Sequence, residues 1–168
     1  MNRPFNLLKF VALLLLAISW LLVAMDSSSA ATIPPSRDVA IVVNPGVPVD
    51  DLSLADVRKI FMGDRQYWTP NLRVTLLIRA PVTRERDVVL KTIYRMSESE
   101  FRQYWISKVF RAEAASGPKI VYSNDMATEL VASIPGGVAF VDASQIPKNV
   151  KVVKTNGLLP GEAGYPLH

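Results

Sequence analysis

The chain has 168 residues, no cysteine, and a single histidine, His168, at its last position. That inventory excludes a disulfide, a thiolate metal site, a cysteine nucleophile, and any histidine base or multi-histidine metal centre built within one chain. A net charge of +4, from 19 Lys and Arg against 15 Asp and Glu, suits small anions and lacks the dense cationic face of a nucleic-acid binder.

Arg3 and Lys9 give a positive start, Phe10 to Met25 is almost wholly apolar, and Ser28, Ser29 and Ala30 are small enough for a signal peptidase. Residues 1–31 therefore read as a signal peptide cut near Ala30 or Ala31. An uncleaved signal anchor is the alternative, because the apolar run is near the lower limit for a span of about 20 residues. Either way the remainder is exported, periplasmic or secreted, and meets a membrane only through an uncleaved segment. Losing Arg3, Lys9 and Asp26 takes the charge from +4 to +3.

Residues 32–38 contain Pro34-Pro35 and no apolar period, so they read as a linker into a folded domain at 39–168. Val39 to Val43 is a short buried strand, stopped by Asn44-Pro45-Gly46. A helix follows with a capping box of Ser53 and Asp56, a staple of Leu52 with Val57, and an apolar stripe of Leu54, Val57, Ile60 and Phe61; Gly63 closes it. Asp64 to Leu72 reads as a polar loop whose Tyr67 and Trp68 fold back over a core edge. A second capping box, Ser97 with Glu100, starts a helix whose stripe Phe101, Tyr104, Trp105 and Val109 is core. Lys119 to Tyr122 is a strand, and Ser123 or Asn124 caps a helix with Met126, Leu130, Val131 and Ile134 inward. Val138 to Val141 is a buried strand, and Val150 to Val153 is another, placed at an edge by Lys148, Lys151 and Lys154. The alternation implies an α/β fold, a layered sheet with helices on its faces.

Val74 to Leu90 reads as strand, turn and helix in immediate succession. Arg79 ends the run of β-formers, Pro81 keeps Ala80 extended, and Thr83 is the N-cap of a helix beginning at Arg84, with Val88, Val89, Thr92 and Ile93 inward. First-turn amides lack partners and the helix dipole adds about half a positive charge there, so an arginine beside them outlines an anion trap. The plainer reading of Arg79 is a charge leaving a strand into solvent, and of Thr83 and Asn124, helix starts. Catalysis has little to work with: Ser53, Ser97 and Ser123 are explained by caps, and the acids lie in or before first helical turns. The domain reads as a non-enzyme without metal or cofactor.

Three patches together resemble the phosphate-binding proteins of ABC transporters, which have the type II periplasmic-binding-protein fold. Ile60-Phe61-Met62-Gly63 followed by Trp68 is similar to an Ile-Phe-x-Gly…Trp signature. Arg79 to Glu85 sits where the family has an arginine and then a Ser-Gly-Thr helix start. Asn124-Asp125 and Pro135-Gly136-Gly137-Val138-Ala139-Phe140-Val141 are similar to Asn-Glu-Gly and Pro-Gly-Ala-Ile-Gly-Tyr-Val. The resemblance implies a single lobe, equivalent to the family's second, with the first lobe lacking. It also implies a phosphate-like oxyanion held by Arg79, Thr83, the turn at Arg84 and Glu85, and Asn124, with a membrane transporter or sensor as partner. Arg84 and Glu85 replace the family's glycine and threonine, adding bulk and a carboxylate. An interaction or signalling domain that has lost the ligand is the alternative function.

Overall fold

A computed structural model describes residues 37–168; the expected signal peptide 1–31, and the linker up to residue 36, lie outside the described residues. At the centre is β1 (Val39–Val43), five residues with no exposed surface. A strand buried this completely must satisfy two cores, and its period of two divides it: Val39, Ile41 and Val43 face one cluster, Ala40 and Val42 the other.

Around it run β2 (Asp51–Leu52), α1 (Leu54–Phe61), β3 (Tyr67–Thr69), β4 (Leu72–Arg73), β5 (Thr75–Arg79), α2 (Arg84–Val89), α3 (Glu98–Phe110), β6 (Lys119–Val121), α4 (Asn124–Ser133), β7 (Gly137–Asp142) and β8 (Lys151–Thr155). Six strands form one sheet in the order β2-β8-β1-β7-β5-β6, and β3 and β4 form a separate hairpin. β5 is parallel to β6 and β7, whereas β1 is antiparallel to β7 and β8. The expected α/β layering is present. α1, α2 and α3 cover the Val39 face and α4 the Ala40 face, so helices lie on both sides.

Two serine caps differ. Ser97 and Glu100 make the full reciprocal box, with Glu100 N donating to Ser97 Oγ and Ser97 N to Glu100 Oε2. Ser53 accepts from Asp56 N at 3.0 Å, but its hydroxyl, not its amide, meets the Asp56 carboxylate at 2.6 Å. The shorter Asp does not close the second half of the box. Ser123, not Asn124, caps α4 through Met126 N at 3.0 Å.

Several expected faces shift. α2 runs on as a π-helical turn, Leu90–Tyr94, whose wider winding turns Leu90 and Tyr94 inward beside Val89 and Ile93, leaving Val88 and Thr92 half-buried. On α3, Phe101 and Trp105 are core, but Val109 is 39% exposed and Lys108 takes the inward place. Lys108 Nζ reaches Asp64 at 2.5 Å and the Tyr104 hydroxyl at 2.9 Å. On α4 the buried residues are Ala127, Thr128 and Val131, while Met126 is exposed.

The expected loop at Asp64 to Leu72 contains the β3-β4 hairpin. Trp68 covers the core, donating Nε1–H to Gly136 O at 2.9 Å, while Tyr67 is half-exposed. Gly136 has φ +73, and a Cβ on it would fall 2.0 Å from Arg73 O, so only glycine lets the turn approach the hairpin. β8 is not an edge: β2 pairs with its outer side. The last residues, unread in the sequence, lock onto β1. Val39 N donates to Leu167 O at 2.7 Å and the Tyr165 hydroxyl to Val39 O at 2.9 Å, and burial pushes the Tyr165 phenol up to about 12.

Candidate functional site

Because β5, β6 and β7 are parallel, they end on the same side of the sheet, at Arg79, Val121 and Asp142. The chain leaves β5 for α2 and β6 for α4, so two helix N-termini open onto that side. Crevices outside the carboxyl ends of strands are where open α/β sheets bind ligands.

Arg79 is buried, 8% exposed, at the end of β5, where Ala80 N continues the ladder by donating to Val121 O at 2.8 Å. Its Nε and Nη1 are buried without a hydrogen-bond partner among the described residues. The nearest carboxylate oxygen is Glu85 Oε2, 4.0 Å from Nε, close enough for charge attraction and too far for a hydrogen bond. A buried guanidinium with idle donors is costly as it stands and favours an acceptor, above all an anionic one.

The turn from Arg79 to α2 is strained. Val82 has φ 67 and is 96% exposed, a left-handed conformation that a β-branched residue rarely adopts and that glycine takes at no cost. Thr83 occupies the N-cap position but makes no side-chain cap; its hydroxyl donates to Ala80 O at 3.0 Å and closes the turn instead. The first intrahelical bond runs from Asp87 N to Thr83 O at 3.0 Å, so the Arg84, Glu85 and Arg86 amides precede the helical ladder.

The other expected site residues are engaged. Arg84 turns across the crevice to the Asp142 carboxylate, Nη2 to Oδ2 at 3.5 Å, and also donates to Arg37 O. Asn124 Nδ2 donates to Gln145 Oε1 at 2.8 Å, and its Oδ1 accepts from Asp142 N at 3.4 Å. Burial pushes the Asp142 carboxyl up, but the hydroxyl and amide of Ser144 and the Arg84 charge outweigh it and hold it below the usual carboxylate range. The structure thus brings Arg79 and Glu85 together, links Arg84 to Asn124 through Asp142, and turns the Thr83 hydroxyl back onto its own turn. Two cations and two carboxylates leave the crevice formally neutral.

One pair that the sequence did not mark supports all of this. Arg86, in the charged first turn of α2, is 2% exposed: its Nε and Nη2 grip Glu98 at 2.7 and 2.8 Å, and its Nη1 donates to Arg79 O at 2.7 Å. Its guanidinium carbon also lies 4.7 Å from the Phe101 ring centre. No local pattern distinguishes it from Arg84; the inward turn comes from helical phase against α3.

No family model matches the chain. Among solved structures it is similar to a phosphate ABC transporter substrate-binding protein with bound phosphate from Clostridium perfringens (TM-score 0.59, 16% identity, covering 73% of this chain and 46% of that one). It is also similar to an ABC-type phosphate transport receptor from Vibrio cholerae (0.58, 20%, 73% and 48%) and to PstS from Borrelia burgdorferi (0.57, 14%, 73% and 49%). The chain spans about half the length of these structures. At such identities the likeness establishes fold alone, and it agrees with the motif resemblance: the chain has the layered α/β fold of one lobe of a type II periplasmic binding protein.

Proposed function

We propose that the domain is an exported, non-catalytic oxyanion-binding module, its anion seated between the Arg79 guanidinium and the first-turn amides of Arg84 and Glu85. The observation that carries this reading is the pair of buried donors on Arg79 that have no partner among the described residues. A membrane transporter or a sensor is the partner class that such a module would serve.

Calorimetric titration of the purified protein with phosphate, sulfate and carboxylates at low ionic strength tests this. Arg79→Ala removes a charge-assisted contact worth about 1.5–3 kcal/mol, so affinity should fall roughly ten- to more than a hundredfold. Glu85→Thr should raise phosphate affinity by removing a like charge from the ligand. Arg84 is best left in place, because it neutralises Asp142. If neither wild type nor Glu85→Thr binds any anion at millimolar concentration, the ligand has been lost. The Glu85 carboxylate, buried 4.0 Å from Arg79, is the observation that favours that second reading, an interaction domain facing a membrane-bound partner.

Export rests on the apolar run Phe10 to Met25 and the small residues after it. No helix among the described residues is long and apolar enough to cross a membrane. N-terminal sequencing of the exported form should begin near Thr32, and recovery of Met1 would point to the anchor.

A further inference from the structure

At the opposite end of β5 from Arg79, the segments leading into β3, β5 and β6 enclose a cleft of about 270 Å³. It is close in size to the smallest ligand pockets, roughly 300 Å³. Ile60, Leu76 and the Trp105 ring give it an apolar part; Arg65, Arg73 and Lys119 also line it, and among the described residues no acidic residue does.

These three cations are unspent. Among the described residues none of them forms an ion pair, and the adjoining acids are engaged elsewhere: Asp64 with Lys108 at 2.5 Å and Glu113 with Arg111 at 2.6 Å. Asp56 feels the Arg65 charge, but its carboxylate is held by the Ser53 hydroxyl and lies 3.7 Å from Lys59. Aromatic faces position the two arginines in place of carboxylates. Arg65 stands 5.7 Å over Trp68 and Arg73 stands 5.9 Å over Tyr67. Apart from Arg65 Nε, which donates to Tyr67 O at 3.3 Å, this stacking orients the guanidinium groups without using their donors. The walls are tied as well, Gln66 Nε2 donating to Glu113 O at 2.7 Å, so little ordering cost falls on a ligand.

We propose that this cleft binds a small amphipathic anion, its carboxylate, sulfonate or phosphate group held by Arg65, Arg73 and Lys119 and its apolar body laid against Ile60, Leu76 and Trp105. An inorganic oxyanion uses the cations but leaves the apolar part of the lining uncovered, so the cleft is distinct in chemistry from the crevice at Arg79.

Octanoate titrated into the purified Arg79→Ala variant, whose oxyanion crevice no longer competes for carboxylates, is the test, with acetate and octylamine as controls for the apolar body and the charge. Saturable binding of octanoate is expected, with acetate and octylamine at least tenfold weaker. Arg73→Glu combined with Lys119→Glu, both exposed positions, should weaken octanoate binding at least tenfold without moving the thermal midpoint. Wild type should retain this octanoate site at the same affinity, any additional carboxylate binding in it being lost with Arg79, which separates this site from the oxyanion crevice. Absence of saturable octanoate binding at millimolar concentration overturns the proposal. So does octylamine or acetate binding to the Arg79→Ala variant as well as octanoate does, or the double change made in that variant leaving octanoate binding within twofold.

Discussion

Arg86→Ala is expected to cost about 3–5 kcal/mol of unfolding free energy, because it removes one member of a buried ion pair and leaves the other without its partner. The urea midpoint measures it, the slope staying unchanged. Arg86 is 2% exposed, and it joins three elements at once: its own helix α2, Glu98 at the start of α3, and the carbonyl of Arg79 at the end of β5. Glu98 keeps a third of its side-chain surface and can rehydrate, which places the cost toward the lower end of that range. The same substitution frees the Arg79 carbonyl, so anion affinity at the crevice should fall along with stability. An unmoved midpoint would mean that the pair is made in solution only part of the time and that Arg79 is held by its strand alone.

Trp105→Ala should cost a comparable amount, about 3–5 kcal/mol, the range for truncating a large buried aromatic. Trp105 is 8% exposed and packs edge-on against Phe101 and Tyr104, with ring centres 6.4 and 5.7 Å away. A Cβ on Gly63 would come within 2.8 Å of its ring, so the indole also fixes the end of the α1 segment. Its Nε1–H meets no acceptor in hydrogen-bond geometry among the described residues, so the effect is chiefly one of packing. The void opens into the cleft and is filled by water, which keeps the cost near the low end of the range. A midpoint that hardly moves would place the ring in solvent, and unimpaired octanoate binding would detach it from the cleft.

Both residues lie on helices whose apolar pattern was legible, yet only one was identified from it. Trp105 recurs with Phe101 at helical spacing, and an aromatic at that spacing has nowhere to go but inward. Arg86 stands in Arg84-Glu85-Arg86-Asp87, where composition points to solvent and only the packing of α2 against α3 decides which charges are enclosed. Val109 and Lys108 show the same limit on α3, one turned outward and the other held inward by Asp64 and the Tyr104 hydroxyl.

What the sequence by itself determined is local. The runs of β-formers at Val39–Val43 and Thr75–Arg79, the serine caps at Ser53, Ser97 and Ser123, and the glycine turn at Gly136 follow from side-chain geometry and backbone restriction within a few residues. Arg79 at a strand end before a helix was legible for the same reason, and with it the outline of the crevice. The tertiary structure alone decided whether those parts meet. Strand order brings Asp142 beside Arg84, the π-helical turn sets which face of the second helix is buried, and the hairpin at Trp68 builds the basic cleft from segments far apart in the chain. Such pairings are fixed by long-range packing and by the sum of desolvation and charge, to which neighbouring residues in the sequence contribute no periodic signal.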